Sequence, residues 1–176
     1  MQTPPLPHRI DPWRLAAENA RLDGALPLAA LPRLAALLSS TEGMVRVALV
    51  ATVDGQGKRY IHGEVGAAVE LVCQRCLGRL HIPLLARVNL GLVRSEAEAE
   101  HLPEDREPLL LTGDEIAVAT LVEDELLLAL PQIPRHEDLR ECAAHGYTLP
   151  GDEPPASMPP QPFAALASLL RDPNKE

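Results

Sequence analysis

The stretch VELVCQRCLGRL, residues 69–80, decides the fold because its Cys-X-X-Cys pair lies between two strand-like, largely apolar runs. The first run begins near residue 58 and the second extends to about residue 95. Only a few residues connect them, and a connection this short joins antiparallel neighbours, because parallel strands need a longer crossover. The sequence therefore predicts an antiparallel sheet in which Cys73 and Cys76 follow the end of one strand.

Strand-like patterns continue on both sides of this pair. Residues 44–53, MVRVALVATV, place an apolar side chain at every second position, which is the period of a half-buried strand. Residues 54–57, DGQG, have the composition of a turn and would lead into the next strand. Residues 107–112, EPLLLT, predict one further strand.

Two helices are predicted before the sheet. Asp11 can cap a helix that has Pro12 at its first position, and this helix should end at Gly24. Residues 28–40 predict a second helix with Pro32 in its first turn. Four leucines would share its buried face: Leu31, Leu34, Leu37 and Leu38.

Two more helices are predicted after the long strands. Ser95 and Glu98 form a capping box for a short helix through His101. Residues 113–130 predict a long helix that Asp114 could cap, with a broad apolar stripe. The elements together predict an α+β domain with an antiparallel sheet, which could close into a barrel, N-terminal helices and a long helix after the sheet.

The domain should span residues 1–147, with its N-terminal helical part at about 11–40. Residues 148–176 predict a Pro-rich tail with a short C-terminal helix. The first 23 residues carry six charged side chains and no long apolar segment, unlike a secretory signal, and no stretch approaches the ~20 apolar residues of a membrane span. Three cysteines, an odd number, favour a reducing compartment, so we expect a cytoplasmic protein.

Charge is arranged in blocks along the chain. The net charge of −9 argues against a nucleic-acid coat protein, which would be basic overall. Residues 95–107 contain six acids and one arginine. Residues 71–94 contain no acid and four arginines: Arg75, Arg79, Arg87 and Arg94. Each block could be a solvated face or a partner-binding surface, and the pattern alone does not separate the two.

Glu123, Asp124 and Glu125 form an acidic triplet in the predicted long helix. Successive residues of a helix lie ~100° apart, so these carboxylates would spread over a broad face instead of aiming at one point. A solvated face is the favoured interpretation, with partner binding as the alternative.

A zinc site needs more than the two cysteines, because two thiolates do not complete a structural site. Residues 134–142, PRHEDLREC, offer a second pair just after the predicted long helix. The combined Cys3His set would be Cys73, Cys76, His136 and Cys142. The second spacing is longer than usual, and His145 is an alternative fourth ligand.

Two other interpretations of the cysteines stay open. They could be free thiols that pack as small apolar side chains. A catalytic dithiol fits less well, because its first cysteine belongs at the start of a helix, whereas Leu77 and Gly78 follow this pair without a helical pattern. Neither a phosphate-binding loop nor a nucleophile elbow occurs in the sequence, so an enzyme is the least favoured class of protein.

Three separated segments occur in the order of a known family. They are VELVCQRCLGRL at 69–80, LGLVRSEAEAEHLPEDREPLLL at 90–111 and LVEDELLLALPQIPRHEDLREC at 121–142. With the ending PQPFAALASLL at 160–170, the chain resembles the YceD family, the large ribosomal RNA subunit accumulation proteins, from about Met1 to Arg171. The motifs carry over to Cys73, Arg75, Cys76, Glu123, Asp124, Glu125, His136 and Cys142.

The resemblance implies a non-enzymatic factor that supports accumulation of 23S ribosomal RNA and biogenesis of the large subunit. It implies pre-50S components as partners, with 23S rRNA or a basic ribosomal protein in contact, and neither a membrane nor DNA. The arginines of 75–94 would touch RNA phosphates, and the acidic triplet would engage a basic protein. The alternatives are an acidic adaptor that binds one ribosomal protein without RNA contact, and a zinc-stabilised interaction module. Zinc is the candidate cofactor.

Overall fold

The computed structural model of the chain describes residues 5–148. The predicted C-terminal helix and almost all of the predicted tail lie outside the described residues, so the domain boundary at residue 147 stays a prediction. The elements in chain order are β1 (Arg9–Ile10), α1 (Pro12–Ala17), β2 (Arg21–Pro27), a 3-10 turn (Leu28–Ala30), α2 (Pro32–Ala35), β3 (Met44–Val53), β4 (Arg59–Val72), β5 (Arg79–Val93), α3 (Glu96–Ala99), β6 (Glu107–Leu110), β7 (Ile116–Ala117), α4 (Val118–Ala129) and α5 (Leu139–Ala143).

The main sheet has five strands in the order β2-β3-β4-β5-β6, and its first four strands pair antiparallel. The sequence predicts this pairing for β3, β4 and β5, but not the strand β2. Burial alternates along β3, so that Val45, Val47 and Leu49 face the core while the residues between them are exposed or half-buried. The helices α1 and α4 pack on this sheet, and Leu121 and Leu126 of α4 enter the same core. One face of the sheet is thus covered by helices, and the two long strands β4 and β5 run through the core to a common turn.

The sheet is open, and the alternative of a closed barrel is wrong. Strands β2 and β6 lie at opposite edges and do not pair with each other within residues 5–148. Strand β6 pairs with β5 in parallel, contrary to the expected antiparallel meander. The reason is the connection, since residues 94–106 form a crossover long enough to return the chain to the same end of β5.

The first predicted helix is confirmed at its start and wrong at its end. Asp11 accepts a hydrogen bond from the backbone N–H of Arg14 at 3.0 Å, and Pro12 occupies the first turn. The helix ends at Ala17, not at Gly24, because Asn19 takes a left-handed φ of 48° and turns the chain back. The residues that follow form β2, which pairs with β3 at the sheet edge.

The second predicted helix is mostly wrong. Residues 28–40 contain a 3-10 turn and the one-turn helix α2, which Pro32 separates because it has no backbone N–H. Leu31 and Leu34 are fully buried as expected, but Leu37 is 57% exposed. The chain leaves the helix because the N–H of Ser39 donates to Glu70 O at 2.8 Å and ties this segment to β4.

The helices after the sheet agree better with prediction. Ser95 Oγ accepts a hydrogen bond from the N–H of Glu98 at 3.3 Å, which confirms the cap of α3. The long helix α4 begins at Val118, so the predicted start at Asp114 is wrong; the residues before it form β7, which pairs with β1. In the described part of the chain, no helix has both the length and the apolar character needed to cross a membrane.

Candidate metal centre

The Cys-X-X-Cys pair occupies the tight turn between β4 and β5. The backbone N–H of Cys73 donates to Gly78 O, and the N–H of Leu77 donates to Cys73 O, both at 2.9 Å. Leu77 closes the turn with a left-handed φ of 58°. Hairpin pairing continues to Val72 and resumes at Arg79, so the two cysteines are fixed at the tip of the hairpin.

The second pair of candidate ligands lies on the segment after α4, which returns to this tip. The N–H of Gln74 donates to Pro134 O at 2.7 Å and joins the segment to the turn. The side chain of Asp138 accepts from the N–H of Arg140 at 2.8 Å and caps α5, which carries Cys142. Both His136 and Cys142 are buried, at 5% and 0% exposed.

The four side chains predicted from the sequence meet in space. Their donor atoms all lie within 4.8 Å of one another: those of Cys73, Cys76, His136 and Cys142. His136 Nδ1 lies 3.5 Å from both Cys76 Sγ and Cys142 Sγ, and Cys73 Sγ lies 3.9 Å from Cys142 Sγ. The cluster is therefore compact enough to hold one metal ion.

These separations can be compared with the edges of a zinc tetrahedron. With zinc–sulfur bonds of about 2.3 Å and zinc–nitrogen bonds of about 2.0 Å, two sulfurs lie about 3.8 Å apart and a sulfur and a nitrogen about 3.5 Å apart. The observed 3.9 Å and 3.5 Å separations agree with these edges. Three thiols and one imidazole are also a donor set that zinc prefers.

The ring of His136 is oriented by its other nitrogen. Nε2 lies 2.9 Å from the carbonyl oxygen of Arg79, which can only accept, so Nε2 carries the proton and donates it there. Nδ1 then presents its lone pair to the thiols of Cys76 and Cys142. Such a hydrogen bond from the outer nitrogen is the usual support of a metal-binding histidine.

The pKa values of the two buried thiols differ. Burial would raise the pKa of Cys73, but hydrogen bonds from the backbone N–H groups of Cys76, His136 and Arg75 outweigh burial and hold this pKa at about 5. Burial raises the pKa of Cys142, and its hydrogen bonds with Cys76 and Cys73 add to the increase. Cys73 therefore supplies a thiolate at neutral pH, which is the form that binds metals.

His145, the alternative fourth ligand, lies beside the cluster and outside the four-donor group. Its ring stacks on that of His136 with centroids 5.8 Å apart. Gly78 makes room for it, because a Cβ at this glycine would lie 2.4 Å from His145 Cγ. His145 thus covers the cluster, and the Cys3His set is the one that the structure assembles.

The surroundings of the pair do not resemble a dithiol redox site. A thioredoxin-type pair needs its first cysteine at the N-terminus of a helix, where the helix dipole stabilises the thiolate. Cys73 and Cys76 are instead in a turn between two strands, and the N–H groups that stabilise the thiolate come from this turn and from the segment after α4.

The four arginines of the basic segment are not brought together. Arg79 and Arg87 lie on the exposed face of β5, eight residues and therefore about 26 Å apart. Arg75 is at the hairpin tip, with Nη1 3.8 Å from Cys142 Sγ. Arg94 follows β5 at the far end of the hairpin, where its guanidinium lies 4.7 Å from the ring centroid of Trp13. RNA binding by these arginines remains a prediction, and it would involve three separate places.

The acidic triplet is largely occupied by contacts within the chain. The carboxylate of Glu123 accepts hydrogen bonds from the backbone N–H groups of Arg33, at 2.6 Å, and Leu34, at 3.0 Å. The Arg33 side chain also contacts both Glu123 and Asp124 at 2.7 Å. Glu123 and Glu125 are buried, and only Asp124 is substantially exposed. Partner binding by the triplet stays a prediction that now depends on Asp124.

Sequence reasoning missed the role of Glu123 as a cap for a helix 90 residues away. The sequence contains a signal for this role. Leu31 precedes Pro32 at the start of α2, and its side chain cannot accept hydrogen bonds from the first backbone N–H groups of that helix. A helix start without a polar cap residue indicates that the acceptor comes from elsewhere in the fold.

Fold and site together define an open-sheet α+β protein with a four-donor Cys3His centre at the tip of a hairpin. The model of the family "Large ribosomal RNA subunit accumulation protein YceD" matches residues 61–170. A Haemophilus influenzae protein of the same name is 32% identical over 171 residues, which cover 96% of this chain and 98% of the relative. No solved structure matches the chain. The chain belongs to the YceD family, which confirms the resemblance found in its motifs.

Proposed function

We propose that this protein supports the accumulation of 23S ribosomal RNA during biogenesis of the large ribosomal subunit, as a non-enzymatic factor in the cytoplasm. The similarity to the Haemophilus influenzae relative carries the proposal, because that protein is named for large ribosomal RNA subunit accumulation and the match spans 96% of this chain. Pre-50S components are the partners that this role requires.

We further propose that the Cys3His cluster binds one zinc ion in a structural role. Four protein ligands fill all positions of a tetrahedral site, whereas a catalytic zinc keeps one position for water or substrate. The ion would join the tip of the β4–β5 hairpin to α5, two parts of the chain that also meet in a small apolar cluster around Cys73, Leu80 and Cys142. A fixed arrangement of these parts is what an interaction module needs.

Direct contact with 23S rRNA is the finer part of the proposal. The half-buried Arg75 at the hairpin tip and the exposed Arg79 and Arg87 of β5 could bind phosphates in a chain that is acidic overall. The competing mechanism is a protein-only adaptor, in which exposed acids such as Asp124 bind one basic ribosomal protein. Charge reversal at Arg75, Arg79 and Arg87 separates the two, since it weakens binding to purified rRNA fragments only if RNA is contacted directly.

The functional proposal is tested in a bacterium from which the family gene is deleted. We expect the deletion to lower the ratio of 23S to 16S rRNA and expression of this chain to restore it. Crosslinking in the restored cells should recover large-subunit rRNA or proteins. A ratio that is normal in the deletion strain, or a deficit that a well-expressed, folded chain leaves unchanged, would overturn the proposal.

A further inference from the structure

A second candidate site lies at the far end of the β4–β5 hairpin from the cysteine cluster. A cleft of about 540 Å³ opens between α1, the first residues of β4, the end of β5 and α3. Ala97 and Leu102 contribute apolar surface to it, and Trp13, Lys58, Arg59 and Arg94 surround it. We call this feature the Trp13 cleft. Its volume is in the range of sites that take a small molecule or one nucleotide.

The cleft is basic although the protein is acidic. Three cationic side chains line it, those of Lys58, Arg59 and Arg94, against one carboxylate, that of Glu98. Glu98 is already engaged, because its carboxylate accepts the backbone N–H of Arg94 at 2.7 Å at the start of α3. On a chain with a net charge of −9, this concentration of positive charge selects an anionic ligand.

Trp13 holds two of these cations in place. The guanidinium carbon of Arg94 lies 4.7 Å from the ring centroid of Trp13, and that of Arg59 lies 5.6 Å away. Cation–π contact restricts the planar guanidinium groups without using their N–H donors. The two arginines are therefore partly ordered before any ligand arrives, which lowers the entropic cost of binding.

Two buried donors of residues that line the cleft lack acceptors. Trp13 Nε1 and Arg59 Nε are buried, and neither has a hydrogen-bond partner among the described residues. By contrast, Lys58 Nζ donates to His101 O at 2.6 Å. A buried donor without an acceptor is costly, and a ligand oxygen would reach these two donors only after a shift of the Trp13 and Arg59 side chains.

We propose that the Trp13 cleft binds one nucleotide of single-stranded RNA, with its phosphate on Arg59 and Arg94 and its base against the apolar surface of Ala97 and Leu102. The inference rests on the proposed function, since it names a further place, besides the hairpin tip and β5, where the protein would contact rRNA. Guanidinium groups match the oxygen geometry of phosphate, and single-stranded RNA exposes both the phosphate and an unstacked base. An acidic peptide would also satisfy the arginines, and the competition experiment below distinguishes it from RNA.

The test uses the full chain and a fluorescein-labelled single-stranded RNA of ten uridines. Anisotropy measures affinity, and the emission of Trp13, the only tryptophan of the chain, reports occupancy of the cleft. Arg59→Gln and Arg94→Gln should each weaken binding about tenfold, as expected for loss of a charge-assisted hydrogen bond. Each should also reduce the slope of log affinity against log salt by about 0.7, the contribution of one single-strand phosphate.

Arg46→Gln is the matched control, because Arg46 is an exposed arginine of β3 at the other end of the same sheet. It removes the same charge and should leave affinity and the Trp13 response unchanged. Arg94 is 60% exposed on its side chain, so its variant tests binding even if Arg59→Gln folds poorly, as checked by circular dichroism. A ten-residue polyglutamate peptide and inorganic phosphate serve as competitors.

The outcomes separate the inference from the functional proposal. If RNA binds but Trp13 emission is constant and Arg94→Gln behaves like Arg46→Gln, the cleft is not the site, although RNA contact stands. If RNA does not bind at all, both the cleft and direct RNA contact fail, while the 23S rRNA measurement in cells still decides the function. If polyglutamate displaces RNA as well as unlabelled RNA does, the cleft is an acidic-peptide site and the inference is overturned.

Discussion

The Nε2 atom of His136 lies 2.9 Å from the carbonyl oxygen of Arg79, the first residue of β5. This contact fixes which nitrogen of His136 carries the proton and turns Nδ1 toward the thiols. It also joins the segment after α4 to the hairpin, so the proposed ligand set and the local fold depend on the same side chain.

The ligand set can be tested at His136 and its neighbour. We expect His136→Ala to weaken zinc binding by at least about 100-fold, whereas His136→Cys should retain a tetrahedral four-thiolate site. His145→Ala is the control, because His145 stacks on His136 outside the donor group and should change affinity little. Competition with a chromogenic chelator measures all three. Equal affinities for His136→Ala and His145→Ala would contradict this assignment.

Removal of the metal should loosen one part of the molecule. Two regions meet at the cluster, residues 73–78 and 134–143, and in the metal-free chain their amide hydrogens should exchange at least about tenfold faster. The amides of β3 should change little, because this strand lies in the separate main core. Hydrogen exchange with and without a zinc chelator makes the comparison. If the exchange rates of these two regions are the same with and without the chelator, the ion has no structural role.

Glu123→Gln should lower the free energy of unfolding at pH 7 by about 2 kcal/mol, because it weakens a buried acceptor of charge-assisted hydrogen bonds. Asp124→Asn, which alters an exposed ion pair with Arg33, should cost less than about 1 kcal/mol. Urea unfolding of both variants beside the parent chain gives these differences.

The same carboxylate makes stability depend on pH. Burial would raise the pKa of Glu123, but the hydrogen bonds from Leu34 and Arg33 outweigh it, so the pKa in the folded chain is lowered. The contribution of ionised Glu123 to the free energy of unfolding is therefore complete above the ordinary glutamate pKa. It is lost as the pH falls through the pKa of Glu123 in the folded chain. The difference between the parent chain and Glu123→Gln should shrink in acid. A difference that stays constant between pH 7 and pH 3 would contradict the assigned role.

Gly63→Ala should be strongly destabilising. Gly63 has a φ of 143°, and a Cβ at this position would lie 2.1 Å from the carbonyl oxygen of Ala48 on the neighbouring strand. We expect the free energy of unfolding to fall by about 3 kcal/mol or more, because the backbone of the two strands must move apart. Gly55→Ala is the control, since its Cβ would meet nothing within 4 Å. Thermal unfolding that ranks the two variants equally would show that the strands adapt without cost.

Local patterns in the sequence predict part of this fold well. The alternation of apolar and polar residues in β3 and the short turn between β4 and β5 depend on neighbouring residues alone. The structure has both features. The end of α1 could not be predicted, because residues with good helix propensity pair with β3 instead and tertiary contacts outweigh propensity. The parallel pairing of β6 likewise depends on where a crossover places the chain, which no local pattern records.

The candidate site, too, could be predicted from the sequence only in part. Cys73, Cys76, His136 and Cys142 could be predicted because their residue types share one chemistry, and the structure brings them together. The basic segment looked like one surface along the chain, but the length of β5 separates its arginines. The Trp13 cleft could not be predicted, because its aromatic and basic side chains come from α1, β4 and the end of β5 and share no motif.

Native mass spectrometry of freshly purified protein tests the central structural claim, a Cys3His zinc centre, most directly. We expect one zinc ion per chain, retained by His145→Ala and lost by Cys76→Ala while the main core of both variants stays folded by circular dichroism. A metal-free chain after purification without chelators, or a zinc ion that Cys76→Ala still holds with full occupancy, would contradict it.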